Sequence, residues 1–192
     1  MSKAGIILGI VIGVVVTVIF CLITASKVIS TGRAEFCSSC HEMKIFYKTW
    51  EEGVHGPGEK GVVKAQCADC HLPHDNLISY LVSKFKFGLN DFIGHLRGKG
   101  KPEHWLEHWK RKIPYKHQAY ESGCRECHEN LVAPGIPLKA FTAHREYELG
   151  HTRENCITCH QTVGHGDIVT AMREELARQK QQELAKREKA EK

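Results

Sequence analysis

The chain has 192 residues, a formal net charge of +5 from 27 lysine and arginine against 22 aspartate and glutamate residues, and 8% aromatics. That length suits one domain plus an anchor, and the aromatics are few for a chain that must build its own core. Because no interleaving of basic and aromatic residues resembles an RNA or DNA module, the basic balance is not read as a nucleic-acid signal, and no nucleic-acid partner is expected.

From the N-terminus, Ala4 to Ala25 ("AGIILGIVIGVVVTVIFCLITA") is almost wholly apolar. At helical rise it is long enough to cross a hydrocarbon core of about 30 Å. A signal peptide is the alternative, but the run exceeds the usual signal core and only Lys3 precedes it, so a retained anchor over residues 1–29 is expected. Cys21, inside the run without a convincing lipobox, reads as a small apolar residue.

Beyond the anchor, C-x-x-C-H occurs four times, as Cys37/Cys40/His41, Cys67/Cys70/His71, Cys124/Cys127/His128 and Cys156/Cys159/His160, and uses eight of the nine cysteines. The pattern reads as covalent attachment of four c-type haems, each with a histidine offered to the iron. Paired C-x-x-C motifs can also bind zinc, but zinc does not require a histidine directly after every second cysteine. A disulfide framework leaves the histidines unexplained as well. Four porphyrins supply the apolar bulk that the composition lacks, and their propionates offset much of the positive charge.

Residues 30–75 hold the first two motifs, separated by the glycine-broken "GVHGPGEKG". Residues 76–121 carry no motif, and Leu77, Tyr80, Leu81, Phe85, Leu89, Phe92 and Ile93 recur at helical spacing, which predicts a helix that covers the first haems. Residues 122–166 hold the second motif pair, broken by "APGIP". From 167 to 192 the sequence is a charged, helix-forming tail in which Ile168, Met172 and Leu176 lay a short apolar stripe. The expected architecture is mainly α: one N-terminal transmembrane helix, a tetrahaem domain over residues 30–166 with little β structure, and the tail.

Of thirteen histidines, four belong to the motifs. The others are His55, His74, His95, His104, His108, His117, His144, His151 and His165, more than the open axial positions. Met43, two residues after His41, is a further iron-binding side chain, and both cannot reach the iron from the same side.

The chain resembles the NapC/NirT/NrfH family of membrane-anchored tetrahaem quinol dehydrogenases. The resemblance rests on the single N-terminal helix, "FCSSCHEM", "CADCHLPH", the central "SKFKFGLNDF" and "CITCHQTVGH", and runs from the anchor to about His165. It implies that the first haem takes Met43 in place of His41, leaving its opposite face open to a quinol; the alternative is that His41 ligates and Met43 packs on the porphyrin. Lys84 and Asp91, two helical turns apart and therefore on one face, match a lysine and an aspartate beside that open side. Asp91 is then the proton acceptor, and Lys84 binds a quinol oxygen or tunes Asp91; as an ordinary exposed pair they have no such role.

For the other haems, His71, His128 and His160 are the expected motif ligands. His165 is too close in sequence to His160 to reach the far face of the same haem. Reach and resemblance together assign His165 to the haem at Cys124/Cys127, His55 to that at Cys156/Cys159, and His144 to that at Cys67/Cys70, with His151 its competitor. His74 is expected to hydrogen-bond a propionate or backbone. His104 and His108 share a helical face, and an amphipathic covering helix is favoured there over a metal site, which lacks a third ligand.

The resemblance thus implies oxidation of menaquinol or ubiquinol and electron transfer through four haems to a periplasmic multihaem or molybdenum-containing reductase, with nitrite or nitrate reductase the expected partner. It places the chain in the bacterial inner membrane, its haem domain in the periplasm, in a complex or oligomer with that partner. The competing expectation is a passive electron wire or scaffold without its own quinol site.

Overall fold

The apolar run folds as one helix, α1 (Lys3–Ser30). Its 28 residues rise about 42 Å at 1.5 Å each, more than a hydrocarbon core requires. None of its residues is buried, and its mean hydropathy reaches 3.3. The hydroxyls of Thr17 and Thr24 donate to Gly13 O (2.8 Å) and Phe20 O (2.9 Å), so the polar groups in the span are satisfied within the helix. Ser2 caps the start, accepting from Gly5 N–H at 3.3 Å, and Lys27 sits in the last turn, where cations favour the helix dipole.

This computed structural model describes residues 2–58, 64–98, 100–110 and 119–190, without the side chains of residues 102 and 108–110. Among them all regular structure is helical: α2 (Ala34–Cys37), a 3-10 turn (His41–Met43), α3 (Lys44–Glu51), α4 (Cys67–His71), α5 (Leu77–Leu96), α6 (Pro102–Lys110), α7 (Glu121–Cys127), α8 (Leu138–Glu148), α9 (Cys156–Cys159) and α10 (Ile168–Ala190). The last three residues of the "GVHGPGEKG" connection, all of His117 and the side chain of His108 lie outside the described residues, so the expected face shared by His104 and His108 lies partly outside them too.

The C-x-x-C spacing explains the shortest helices. Cysteines three apart share one helical face, and α4, α7 and α9 each span a whole C-x-x-C. The first motif differs, since Cys37 ends α2 and Cys40 precedes the 3-10 turn. The anchor's exit is tied to the second motif by Ala68 N–H donating to Gly32 O (3.2 Å) and Ala34 N–H donating to Gln66 Oε1 (3.0 Å). Glycine is needed there: a Cβ on Gly32 would stand 3.0 Å from Ala68 Cβ and 3.3 Å from Lys84 Nζ.

The second and third motifs pack through α4 and α7. Tyr120 N–H donates to Cys70 O at 2.7 Å and His74 N–H to Ser122 Oγ at 3.0 Å. A Cβ on Gly123 would overlap the Asp69 carbonyl oxygen, so the two motif helices approach closely only because residue 123 has no side chain.

The small core lies elsewhere. Trp50 of α3, Leu72, and Ile168 and Met172 of α10 are buried, with Ala34 and Ala68, and α10 packs on α3 and α6. Phe46 meets Trp105 edge-on at 5.4 Å. The charged tail therefore begins as a core element: Met172 is fully buried, while the helix from about Ala177 onward is exposed.

The central helix α5 forms where the apolar spacing predicts it. Leu77, Leu81, Phe85, Leu89, Phe92 and Ile93 are exposed. The half-buried side carries Tyr80, Lys84 and Phe87 instead, with Tyr80 against His74 (5.5 Å) and Phe87 against Tyr120 (6.4 Å). Sequence periodicity gave the apolar stripe but not the direction in which it faces.

Two substitutions test this packing by thermal unfolding of the haem-loaded protein. Gly123→Ala is expected to cost about 1–3 kcal/mol or more through overpacking, whereas Gly88→Ala on α5, whose Cβ meets nothing within 4 Å, leaves stability unchanged or slightly raised. Met172→Ala is expected to cost about 2–5 kcal/mol by opening a cavity beneath α10.

Candidate haem sites

The four motifs form a connected series. The thiols of Cys37 and Cys67 are hydrogen-bonded, as are those of Cys124 and Cys156, and Cys70 lies within electrostatic reach of Cys124 and Cys127. All these sulfurs belong to the C-x-x-C-H motifs. The sequence order of motifs is thus also their order in space, with the first and last at the ends.

Three motif histidines each face one other histidine. His71 and His165 have ring centroids 6.1 Å apart, His128 and His55 6.1 Å, and His144 and His160 6.0 Å. Two imidazoles on opposite sides of one metal, each nitrogen about 2.0–2.1 Å from it, put their centroids roughly 6 Å apart. The spacing therefore fits a shared iron.

The second nitrogen of each non-motif ring is already engaged. His165 Nδ1 meets Phe46 O at 3.0 Å and Thr49 Oγ1 at 3.2 Å, His55 Nδ1 meets Val163 O at 3.3 Å, and His144 Nδ1 meets Leu131 O at 2.8 Å. A backbone carbonyl on Nδ1 fixes the tautomer that presents Nε2 as a lone-pair donor, the arrangement that metal-binding histidines use. Burial and the neighbouring His71 push His165 down to about 4, so its ring is neutral, as ligation requires. Because that value lies below the unfolded one, the stability contributed by neutral His165 is present above the ordinary histidine range and is lost as pH falls from there toward 4.

The three non-motif histidines expected from sequence each meet a motif histidine, though not the one that reach and resemblance suggested, and His95 meets His41 besides. His165 faces His71 of the second motif rather than the third, His55 faces His128 of the third rather than the fourth, and His144 faces His160 of the fourth rather than the second. The deciding contacts are remote in sequence: Phe46 of α3 holds His165, and the loop carrying Val163 holds His55. His151 is exposed and paired with Glu146 at 2.8 Å. His74 Nε2 meets Ala68 O at 3.2 Å, a backbone contact.

The first motif is built otherwise. His41 is exposed and its Nε2 lies 3.1 Å from Glu42 Oε1, the same oxygen that takes His95 Nδ1 at 2.7 Å. Sequence reasoning passed over Glu42 and His95, and only their separation of 53 residues closing in space reveals them. Met43 is half-buried in the same 3-10 turn. Beside this motif stand Lys84 and Asp91: the Cys37 thiol is held down to about 7 mainly by the hydrogen bond from Cys67, with Lys84 lowering it further and Asp91 opposing. Desolvation by the surrounding protein lowers the Lys84 ammonium, and it raises the exposed Asp91 carboxyl above the ordinary range. Lys84 Nζ also sits 5.7 Å over the Tyr80 ring.

These donor sets fit haem. Besides the imidazole pairs, Trp105 Nε1 and Arg125 Nη1 are buried donors without a partner among the described residues, suited to carboxylates such as haem propionates. The family described as NapC/NirT cytochrome c family, N-terminal region, matches residues 1–171. The chain belongs to this family. Its match extends past His165 into the first turn of α10, further than the sequence motifs reached.

Among curated relatives, the tetraheme c-type cytochrome CymA of Shewanella oneidensis is 30% identical over 153 residues, covering 74% of this chain and 80% of the relative. The cytochrome c-type protein NrfH of Wolinella succinogenes is 26% identical over 153 residues, covering 77% of each. The cytochrome c-type protein TorY of Haemophilus influenzae is 31% identical over 141 residues, 70% of this chain but only 37% of that longer relative. No solved structure matches the chain. This NapC/NirT family member is a helical tetrahaem c-type cytochrome of electron transport with covalently bound haem c, and a single-pass protein of the inner membrane.

Methionine at either member of a histidine pair is expected to change the same low-spin haem signal in electron paramagnetic resonance. His71→Met and His165→Met alter one signal, His128→Met and His55→Met a second, and His160→Met and His144→Met a third. Co-variation of His165 with His128 instead would restore the pairing that sequence reach suggests.

Proposed function

We propose that the chain is a membrane-anchored quinol dehydrogenase that oxidises menaquinol or ubiquinol at the outer face of the inner membrane and delivers electrons to a periplasmic reductase of nitrite or nitrate. The observation that carries this reading is the position of Lys84 and Asp91. Both act on Cys37 of the first motif, and Lys84 Nζ lies beside Gly32, where the anchor ends. Protonatable groups therefore stand at one end of the series of motifs, at the depth where a lipid-soluble donor emerges.

When bound, haem supplies the one-electron chemistry; the chain supplies ligands and proton handling. Cys37/Cys40, Cys67/Cys70, Cys124/Cys127 and Cys156/Cys159 hold the four groups. The pairs His71 with His165, His128 with His55 and His160 with His144 would hold the iron of three, and Met43, in place of His41, would hold that of the first. Oxidation of a quinol releases two protons with its two electrons. Asp91, its carboxyl raised toward neutrality by desolvation, accepts one hydroxyl proton, the second hydroxyl proton passes to solvent water, and Lys84 donates a hydrogen bond to that second quinol oxygen. The far end of the series, near Cys156 and Cys159, is left for the acceptor.

One observation favours the passive-wire reading instead. His95 approaches His41 to 5.7 Å between ring centroids, so two imidazoles stand together at the first motif as well. Glu42 bridging both rings argues against a shared iron there.

Anaerobic reduction of the purified protein by a menaquinol analogue, followed by haem absorbance, distinguishes the two readings. Asp91→Asn is expected to slow reduction by about 10²–10⁴-fold with unchanged spectra. The wild-type rate falls as pH drops through the raised Asp91 value, because the acceptor becomes protonated, and this dependence disappears in the variant. Failure of the wild type to take quinol electrons, despite full reduction by dithionite, would establish the wire.

A further inference from the structure

Helix α5 is two-faced in an unusual sense, because its most apolar side turns away from the protein. Ile78, Val82, Phe85, Leu89, Phe92 and Leu96 follow one another at steps of four and three residues, the spacing of a single helical stripe. Their exposures are 76, 60, 73, 47, 59 and 69%. The stripe is about 27 Å long at helical rise. The opposite side holds the protein contacts: Tyr80 on His74, Phe87 on Tyr120, and Lys84 and Asp91 toward Cys37. The first haem motif thus lies on the side away from the stripe.

We infer that α5 is a second membrane attachment, lying in the headgroup region with this stripe inserted among acyl chains. Three features select a lipid surface. The first is continuity with the anchor: Lys84, at the middle of α5, would meet a Cβ on Gly32, two residues past the end of α1, so the helix is pinned at the level where the chain leaves the membrane. Ile29 and Phe36, on either side of that exit, are exposed apolar residues of the same zone. The second is charge. Lys86 and Arg97 are exposed along one flank of the stripe, positioned to reach anionic headgroups, whereas the one carboxylate of α5, Asp91, is on the face turned to Cys37. The third is shape, since a long, continuous apolar face with basic flanks is what an interfacial helix presents.

This attachment does not depend on what donates the electrons. It adds a second point of contact with the membrane beside the α1 exit, and two points fix the orientation of the haem domain on the bilayer. If a quinol is the donor, the same helix carries acyl-facing residues on one side and Lys84 and Asp91 on the other, within a helix diameter of about 10 Å.

The test uses the full-length, haem-loaded protein in nanodiscs of phosphatidylcholine and phosphatidylglycerol containing a lipid with a diazirine on its acyl chain. After photolysis, peptide mass spectrometry is expected to find lipid adducts on residues 4–25 and also on residues 78–96. Phe85→Gln combined with Phe92→Gln is expected to lose the α5 adducts to the level of the unphotolysed sample, with α1 adducts and haem spectra unchanged. If the double variant has altered haem spectra, Leu89→Gln is read in the same way. Wild-type adducts confined to α1, α5 adducts that persist in the variant, or amine cross-links through Lys86 between two copies in place of lipid adducts would each overturn the assignment; the last would assign the stripe to a second copy of the chain.

Discussion

Three backbone carbonyls, those of Phe46, Leu131 and Val163, hold the structure's functional geometry in place. Each takes the Nδ1 of one histidine whose ring stands 6.0–6.1 Å, centroid to centroid, from a motif histidine. A carbonyl at Nδ1 fixes the tautomer and orients the ring without introducing a charge. Two of these carbonyls also join distant parts of the chain. Phe46 and His165 are 119 residues apart, and His55 and Val163 108, so the same hydrogen bonds close the first half of the domain against the last.

With the rings held this way, the rest of the chain needs little conventional core. Trp50, Leu72, Ile168 and Met172 are its large buried apolar residues, and the motif helices are drawn together by close contacts that leave little room for a side chain at Gly32 and none at Gly123. The crossing at Gly32 and Ala68 adjoins the paired thiols of Cys37 and Cys67, and that at Gly123 brings Cys70 within electrostatic reach of Cys124 and Cys127, which is also the proximity that electron transfer between haems needs. Packing and function therefore share a requirement at the same residues. The first motif stands apart because it is split between α2 and a 3-10 turn, and its histidine is tied to Glu42.

Membrane attachment and site chemistry meet at the exit of α1. Gly32, Ala68 and Lys84 crowd together there, so the anchor, the second motif and the α5 side chains beside Cys37 move as one unit. An exposed apolar stripe on the outer side of α5 is then a consequence of which side of that helix the motifs use. Its inner side is committed to Tyr80, Lys84, Phe87 and Asp91, and the hydrophobic residues have only the outer side left.

The sequence by itself determined what depends on covalent spacing and local periodicity. Four C-x-x-C-H motifs, the apolar span of α1 and the helical run of α5 were legible, because each is written within a few turns of chain. Reach along the chain excluded only the pairing of His165 with His160. It could not rank motifs tens of residues away, and the motif histidines beside His55, His144 and His165 in the fold are not those it suggested. The tertiary structure supplies those neighbours, the pairing of His95 with Glu42, the helices α3 and α6 on which the Met172 stripe packs, and the outward turn of the α5 stripe. Each depends on which carbonyl, glycine or helix face from a remote segment arrives first at a given side chain, and one-dimensional spacing holds no record of that.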